Sequence, residues 1–177
     1  MGIQIYSTKP TDANRLKKEM EAYELLDKLG IEYLRVDHKA AASVEDCPEI
    51  DKALGIEICK NLFLRNNGKT EFYLYVMPGN KKFVTKEVSK QLGISRLSFG
   101  EADFMEKFLN VTPGSVSILG LAYDTEHKIH LIMNREIVEA EYFGCHPCIN
   151  TSSLKIKTSD IMDKFLAYTG HKPAIID

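Results

Sequence analysis

From residue 14 to 29 the apolar side chains Leu16, Met20, Tyr23, Leu26 and Leu29 recur every three or four positions, while Lys17, Lys18, Glu21 and Lys28 fall mainly elsewhere. That period predicts an amphipathic helix ended by Gly30. A short extended run at 31–36 follows, and Ser43-Val44-Glu45-Asp46 resembles a capping box opening a small helix. The apolar run 58–65 and the segment 71–77 read as strands, with Asn67-Gly68 supplying turn chemistry between them. Helical spacing returns at 86–92 and 101–109, separated by a short extended piece at 96–99. After the Gly/Pro/Ser loop 112–117, the pattern predicts strands at 119–123 and 128–133 around a turn at 124–127. Leu154 and Ile156 suggest a last short strand, after which Thr158 or Ser159 caps a helix reaching Tyr168, with Gly170 beyond its end. Helices and strands mix without regular alternation. The expected fold is therefore α+β, with a mixed, mostly antiparallel sheet flanked by helices.

The 177 residues, 44% of them hydrophobic, suffice for one buried core, so a single domain over 1–177 is expected, without internal repeat or linker. Charge is nearly balanced at 25 acidic against 23 basic residues; a polyanionic partner would have to meet a local basic patch. Four cysteines are few for a disulfide scaffold, and the N-terminus lacks a signal-peptide layout, so a reducing cytoplasm is the expected location. No apolar run approaches the roughly 20 residues that span a bilayer.

Reactive and hydrogen-bonding side chains are densest between Tyr142 and Ser153, where Gly144 and Pro147 interrupt regular structure. This stretch reads as a loop leaving a strand and presenting His146, Asn150 and Thr151. Cys145, His146 and Cys148 are metal-ligand types. A structural zinc site, however, usually draws two close pairs of ligands, and Cys47 and Cys59 stand too far apart to form the second pair. A thiol nucleophile activated by His146 is a further reading, although sequence neighbours rarely make such pairs. The plainer alternative is that these cysteines pack as small hydrophobes. His38, His127, His130 and His171 have no partner visible in sequence. Lys60 is unusual in lying inside an apolar strand, where it is either a solvated outer-face residue or a point charge for phosphate. Gly114, after Pro113, is either a turn glycine or a place where backbone approaches a ligand closely.

Three stretches occur together in order: Cys59-Lys60-Asn61-Leu62-Phe63-Leu64-Arg65, Thr112-Pro113-Gly114-Ser115-Val116-Ser117 and His146-Pro147-Cys148-Ile149-Asn150-Thr151. In this order and spacing they resemble the YbaK/prolyl-tRNA synthetase editing-domain family, especially its freestanding alanyl-tRNA(Pro) deacylase branch, ProX or PrdX. The likeness runs from about Arg15 to the Gly170-His171-Lys172-Pro173 tail. It implies a trans-editing hydrolase that removes alanine from mischarged tRNA(Pro), with no cofactor and no metal. Lys60, Gly114 and His146 would be its catalytic residues. Lys60 would meet the phosphate or ribose of the terminal adenosine with Asn61 beside it, and His146 would position the aminoacyl ester. The backbone from Gly114 through Ser115, Val116 and Ser117 would face that ester, with Asn150 and Thr151 completing the substrate contacts. Relatives commonly carry Gly-x-x-x-Pro here, whereas this chain ends the motif on Ile118; a β-branched residue is expected to keep that position extended.

The implied chemistry needs no strong nucleophile, because an aminoacyl ester beside a ribose hydroxyl is already activated and a positioned water suffices. Partners implied are mischarged tRNA(Pro) and prolyl-tRNA synthetase; membrane and DNA are not among them. Candidate phosphate contacts are Lys81, Lys82, Lys86 and Lys90, with Arg65 and Lys69 at the hairpin. Two alternatives share this pattern: a deacylase for a cysteinyl or seryl ester, and a catalytically idle module that binds aminoacyl-tRNA.

Overall fold

The helical period near the start of the chain becomes α1 (Lys17–Lys28), which buries Glu19, Tyr23 and Leu26. A computed structural model describes residues 2–40 and 48–177; the capping box at 43–46 lies outside them. The chain begins with β1 (Ile5–Tyr6), and β2 (Tyr33–Asp37) follows α1. After α2 (Pro48–Leu54), β3 (Lys60–Arg65) and β4 (Phe72–Met77) form the expected antiparallel hairpin. Next come α3 (Thr85–Leu92), β5 (Ser98–Phe99) and α4 (Ala102–Leu109), which ends on left-handed Asn110. The second half holds β6 (Ile129–Asn134), α5 (Arg135–Glu139), β7 (Tyr142–Cys145) and β8 (Ser152–Lys157). A last helical run starts as α6 (Thr158–Asp160), widens into a π turn at Ile161–Phe165 and ends as α7 (Leu166–Thr169) before β9 (Ala174–Ile176).

The strands build two sheets where the sequence pattern suggested one. The first has the order β1-β2-β8-β7 and is antiparallel throughout; the second has the order β5-β3-β4-β6-β9, with β4/β6 and β6/β9 parallel. Antiparallel pairing still dominates, and the α+β expectation holds. The sheets meet where the Cys59 amide donates to the Gly144 carbonyl at 3.1 Å, just before β3 begins. Their facing sides share the main core, including Phe63, Leu74 and Val76 from one and Phe143, Leu154 and Ile156 from the other. Tyr23 and Leu26 of α1, Leu109 of α4 and Phe165 of the last helical run close it. On the outer side of the five-stranded sheet, α3 packs Val88 near Leu64, Tyr75 and Met77. Ile50 and Leu54 of α2 cover Val36 and Ile58 on the other sheet's outer side.

Two local expectations fail for identifiable reasons. Residues 119–123 belong to a 3-10 helix (Ile118–Tyr123), not a strand. The Ser117 hydroxyl accepts from the Leu119 amide at 3.2 Å and the Ser117 carbonyl from Gly120 at 3.0 Å, which turns the chain back at once. Gly120 then lies so close to α4 that a Cβ there would stand 2.8 Å from the Leu109 carbonyl. An apolar run this short fits strand and buried helix equally well by period alone. Ile118 is accordingly the first residue of that helix, and the extended residue is Ser117, at φ −148 and ψ 146. At the last helix, Thr158 is the first helical residue instead of the cap, and its buried hydroxyl has no partner among the described residues.

One glycine shows how tightly the edge strand is held. Gly100 follows β5 and donates to the Phe63 carbonyl at 2.9 Å, and a Cβ there would fall on the Phe63 ring edge, at Cδ1 and Cε1. Phe63 is fully buried and stacked near Phe72, so it has no room to yield. Gly100→Ala is therefore expected to destabilise the fold by about 1–3 kcal/mol, as overpacking does. Urea unfolding checks this, and an unchanged midpoint would contradict it.

Candidate functional site

Antiparallel β7 and β8 are joined by the connection 146–151, which runs from Cys145 back to Ser152. The turn is made by Cys148, which takes a left-handed conformation at φ +61 although it is not glycine. Pro147, Cys148 and Ile149 are buried, so the loop is anchored through its middle while His146 and Asn150 stay half-buried and Thr151 is exposed. Burial of the Cys148 thiol in the main core offsets backbone strain of this kind.

The hydrogen bonds of His146 determine its proton arrangement. Its Nδ1 lies 2.9 Å from the Ser152 carbonyl, which only accepts, so Nδ1 carries the proton. Burial, opposed by the Ser152 bond and reinforced by the nearby His38, lowers the pKa of His146 below its ordinary 6.5. The neutral ring therefore keeps Nε2 as an acceptor, with no partner among the described residues. Around it the donors and acceptors form one consistent set. His38 Nδ1 stands 2.7 Å from the Lys39 carbonyl and so donates to it, leaving Nε2 to accept from the Ser153 hydroxyl at 2.9 Å. The Ser153 oxygen in turn lies 3.3 Å from His146 Nδ1. Ser152, whose carbonyl orients His146, donates its own hydroxyl to Asp37 at 2.6 Å.

Asp37 gathers the charges behind this site. Arg35 and Arg15 both bond its second oxygen, at 2.5 and 2.9 Å, and Arg15 also reaches the buried Glu19 at 3.1 Å. Burial alone would raise the Asp37 pKa, but the bonds from Arg35, Arg15 and Ser152 overcome that and hold it at about 2. Sequence reasoning did not single out Arg15, Arg35, Asp37, His38, Ser152 or Ser153. The available signal was Arg35, a charged residue in an otherwise core-facing strand register.

The 112–118 loop meets the His146 segment directly. Ser117 donates its hydroxyl to the His146 carbonyl at 2.6 Å, and Gly114, at φ +87, places its Cα next to Asn150, whose Nδ2 would be 3.6 Å from an added Cβ. The Ser115 amide is committed to the Thr112 carbonyl at 3.0 Å. Among the described residues, the amides of Val116 and Ser117 have no acceptor. Gly114 is exposed, whereas Ser115, Val116 and Ser117 are buried.

Lys60 and Asn61 join this group less directly. Cys59, the residue before Lys60, bonds Gly144 of the strand that leads to His146. Alternation then sends Lys60 and Asn61 to opposite faces of β3. Lys60 is half-buried, and its ammonium donates to the Lys81 carbonyl at 2.6 Å. Asn61 donates weakly to the Cys59 carbonyl at 3.4 Å, and its buried Oδ1 has no partner among the described residues.

The cysteines turn out to be packing. Cys59, Cys145 and Cys148 are free and buried; burial pushes Cys59 and Cys148 up to about 12 and Cys145 well above its ordinary value. Thiols held neutral in an apolar core are poor nucleophiles. Cys47 lies outside the described residues. Of the other histidines, His130 pairs with Glu71 at 2.6 Å, and buried His171 meets Asp124 at 2.8 Å under the stacked His127 ring. The basic candidates divide. Arg65 and Lys69 share the Glu101 carboxylate and hold it down at about 2, which offsets one of their two charges, and Lys81 pairs with Glu136. Lys82, Lys86 and Lys90 are exposed.

The family profile of the aminoacyl-tRNA editing domain matches residues 38–164, a span that begins at His38 and contains every site residue from Lys60 to Thr151. The chain belongs to this aminoacyl-tRNA editing-domain family. Within the editing-domain family, the prolyl-tRNA synthetase associated domain-containing protein 1 of Danio rerio is 30% identical over 164 residues, covering 91% of this chain and 86% of that protein. The prolyl-tRNA editing protein ProX of Acetoanaerobium sticklandii is 29% identical over 136 residues, 77% of this chain and 83% of its own. The solved structure of a candidate trans-editing enzyme for prolyl tRNA synthetase has the same fold, with a TM-score of 0.67 at 14% identity over 92% of this chain and 98% of that one. No helix of the described residues is long and apolar enough to cross a membrane.

Proposed function

We propose that residues 1–177 form one cytoplasmic editing domain that deacylates mischarged Ala-tRNA(Pro). The observation that carries this reading is the junction of two segments: Ser117 ties the Gly114–Ile118 backbone to His146, whose Nε2 is an acceptor without a partner among the described residues. In the proposed reaction a water oxygen adds to the ester carbonyl carbon. The carbonyl oxygen, as it gains negative charge, is met by the amides of Val116 and Ser117, and His146 Nε2 accepts a hydrogen bond from the attacking water or the ribose hydroxyl. The ester C–O bond then breaks; one proton of the water goes to the departing ribose oxygen and the other to solvent, leaving alanine as its carboxylate and a free ribose hydroxyl on the tRNA. Gly114 lets the backbone approach the ester without a side chain, and Asn150 and Thr151 line the approach. Lys60 releases the Lys81 carbonyl to take a terminal phosphate, and Asn61 steadies the strand behind it. Prolyl-tRNA synthetase is the natural source of this substrate, since a pocket that accepts a larger side chain discriminates weakly against a smaller one, by about 1–3 kcal/mol per methylene.

The test charges tRNA(Pro) separately with alanine, cysteine, serine and proline and follows ester loss with purified protein. Alanine is expected to be released at least about tenfold faster than the others, the ratio that one methylene's worth of pocket fit gives. Faster release of cysteine or serine would reassign the substrate. Binding without turnover of any ester would make the chain a sensor of charged tRNA.

A further inference from the structure

Phe99 is 60% exposed, more than any other large apolar side chain of the described residues. It stands on the two-residue edge strand β5, paired with Leu64 of β3. Leu62 and Lys60 follow at alternate positions, so all four share one face of the sheet, and Lys60 stands about 13 Å from Phe99 along the strand at 3.3 Å per residue. The segment 81–83 links the two ends of this row. The Lys81 carbonyl holds the Lys60 ammonium at 2.6 Å, and the Phe83 ring packs on Phe99 at 5.5 Å and 60°. The Thr85 hydroxyl bonds the Leu97 carbonyl at 2.8 Å, pinning the start of α3 beside β5. Lys82 and Lys86 are exposed on either side of that anchor. The acids nearby are Glu87, exposed on α3, Glu101, already paired with Arg65 and Lys69, Glu136, paired with Lys81, and Asp177, which shares a cavity lining with Lys82 and is paired with Arg135. The surface therefore combines a rigidly backed aromatic ring with a net excess of lysine, and its row ends at Lys60.

We infer that Phe99 is a stacking platform for an unpaired base of the tRNA 3′ end, with Lys82 and Lys86 taking the adjoining phosphates, so that the single strand passes over the outside of the 82–86 segment, which packs on the buried Leu64, toward Lys60. An aromatic face with flanking cations is what single-stranded nucleic acid requires, because every base has a π-face and every linkage a charge. The Phe83 ring behind Phe99 holds it outward, so stacking orders little that is not already ordered. The inference rests on the proposed deacylase reading for the identity of the strand, and the experiment separates the two.

Full-length protein, wild type and the variants Phe99→Ala and Phe99→Trp, is titrated with a fluorescent RNA oligonucleotide ending in CCA and with the same strand carrying abasic residues in place of the two cytidines. Phe99→Ala is expected to weaken binding of the CCA strand about tenfold, and Phe99→Trp to restore it. The abasic strand should bind all three proteins equally weakly. Equal affinity of wild type and Phe99→Ala, no measurable affinity of the wild type, or an equal loss on both strands would overturn the inference. In parallel, hydrolysis of 3′-O-alanyl-adenosine, which lacks the cytidines, should be unaffected by Phe99→Ala. Loss of that activity would make Phe99 a structural residue instead. Phe99-dependent RNA binding by a wild type that hydrolyses no ester would sink the deacylase reading alone.

Discussion

Replacing His146 with alanine is expected to lower kcat/KM for Ala-tRNA(Pro) by about 100-fold or more, the usual scale for a hydrogen-bonding or proton-transferring group at a reacting ester. Alanine, however, also leaves the Ser152 carbonyl without its partner. His146→Asn separates the two effects, since the asparagine amide can reproduce the Nδ1 donor but places nothing at Nε2. The asparagine variant should unfold at the wild-type midpoint and remain nearly inactive; wild-type activity in it would mean that His146 acts only by holding β8. The pH profile gives an independent reading. With its pKa below 6.5, His146 is neutral at pH values where an ordinary histidine is charged, so the acidic limb of kcat/KM should fall below 6.5. The stability sign follows from the same direction: the unfolded chain binds the proton first, so folding stability rises with pH across the window just below 6.5. The acidic limb should disappear in His146→Asn, while titration of the substrate's own α-amine persists in both proteins.

The helices α1, α3 and α4 and the β3–β4 hairpin were legible in the sequence because each carries its own period or turn residues within a dozen positions. β9 and β1 were not, since two or three residues set no period and their pairing depends on Met133 and Val36, far away in the chain. The parallel pairing of β4 with β6 likewise leaves no local trace. At the site, His146, Gly114 and Lys60 stood out by residue type and order. The groups that fix the His146 tautomer did not. Ser152 and Ser153 fell in the stretch read as a loop and carried no mark of their own, and His38 is 108 positions from His146, a separation that only the β2/β8 register closes. Cys145 and Cys148 misdirected attention for the converse reason: their chemistry is conspicuous in a sequence, whereas their burial appears only once the main core is assembled.

Asp37 is where this support is most exposed to mutation. Arg35 is buried, and apart from its bond to the Thr8 carbonyl and its stacking on the Tyr6 ring, the compensation for its charge comes from Asp37. Asp37→Asn preserves shape but removes the carboxylate shared by Arg35 and Arg15, leaving two guanidinium groups side by side with Asp12 and Glu19, both on Arg15, as the remaining close acids. Breaking a buried pair from one side is strongly destabilising, and because Asp37 is partly exposed the expected loss is about 3 kcal/mol. Acid should reproduce the effect in the wild type. The folded pKa of about 2 lies below the ordinary 3.8, so the stabilisation is complete above about pH 4 and is lost as pH falls toward 2. Urea midpoints measured between pH 2 and 7 should therefore converge for wild type and Asp37→Asn at the acidic end and separate above it. Parallel curves would mean that the carboxylate charge is not what balances Arg35. Activity should follow a different course: with the Ser152 hydroxyl no longer held by a carboxylate, the His146 loop loses its backing, so Asp37→Asn is expected to lower kcat at temperatures where the variant is still fully folded. An Asp37→Asn protein that is less stable but has unchanged kcat would confine the network to folding and separate it from the site.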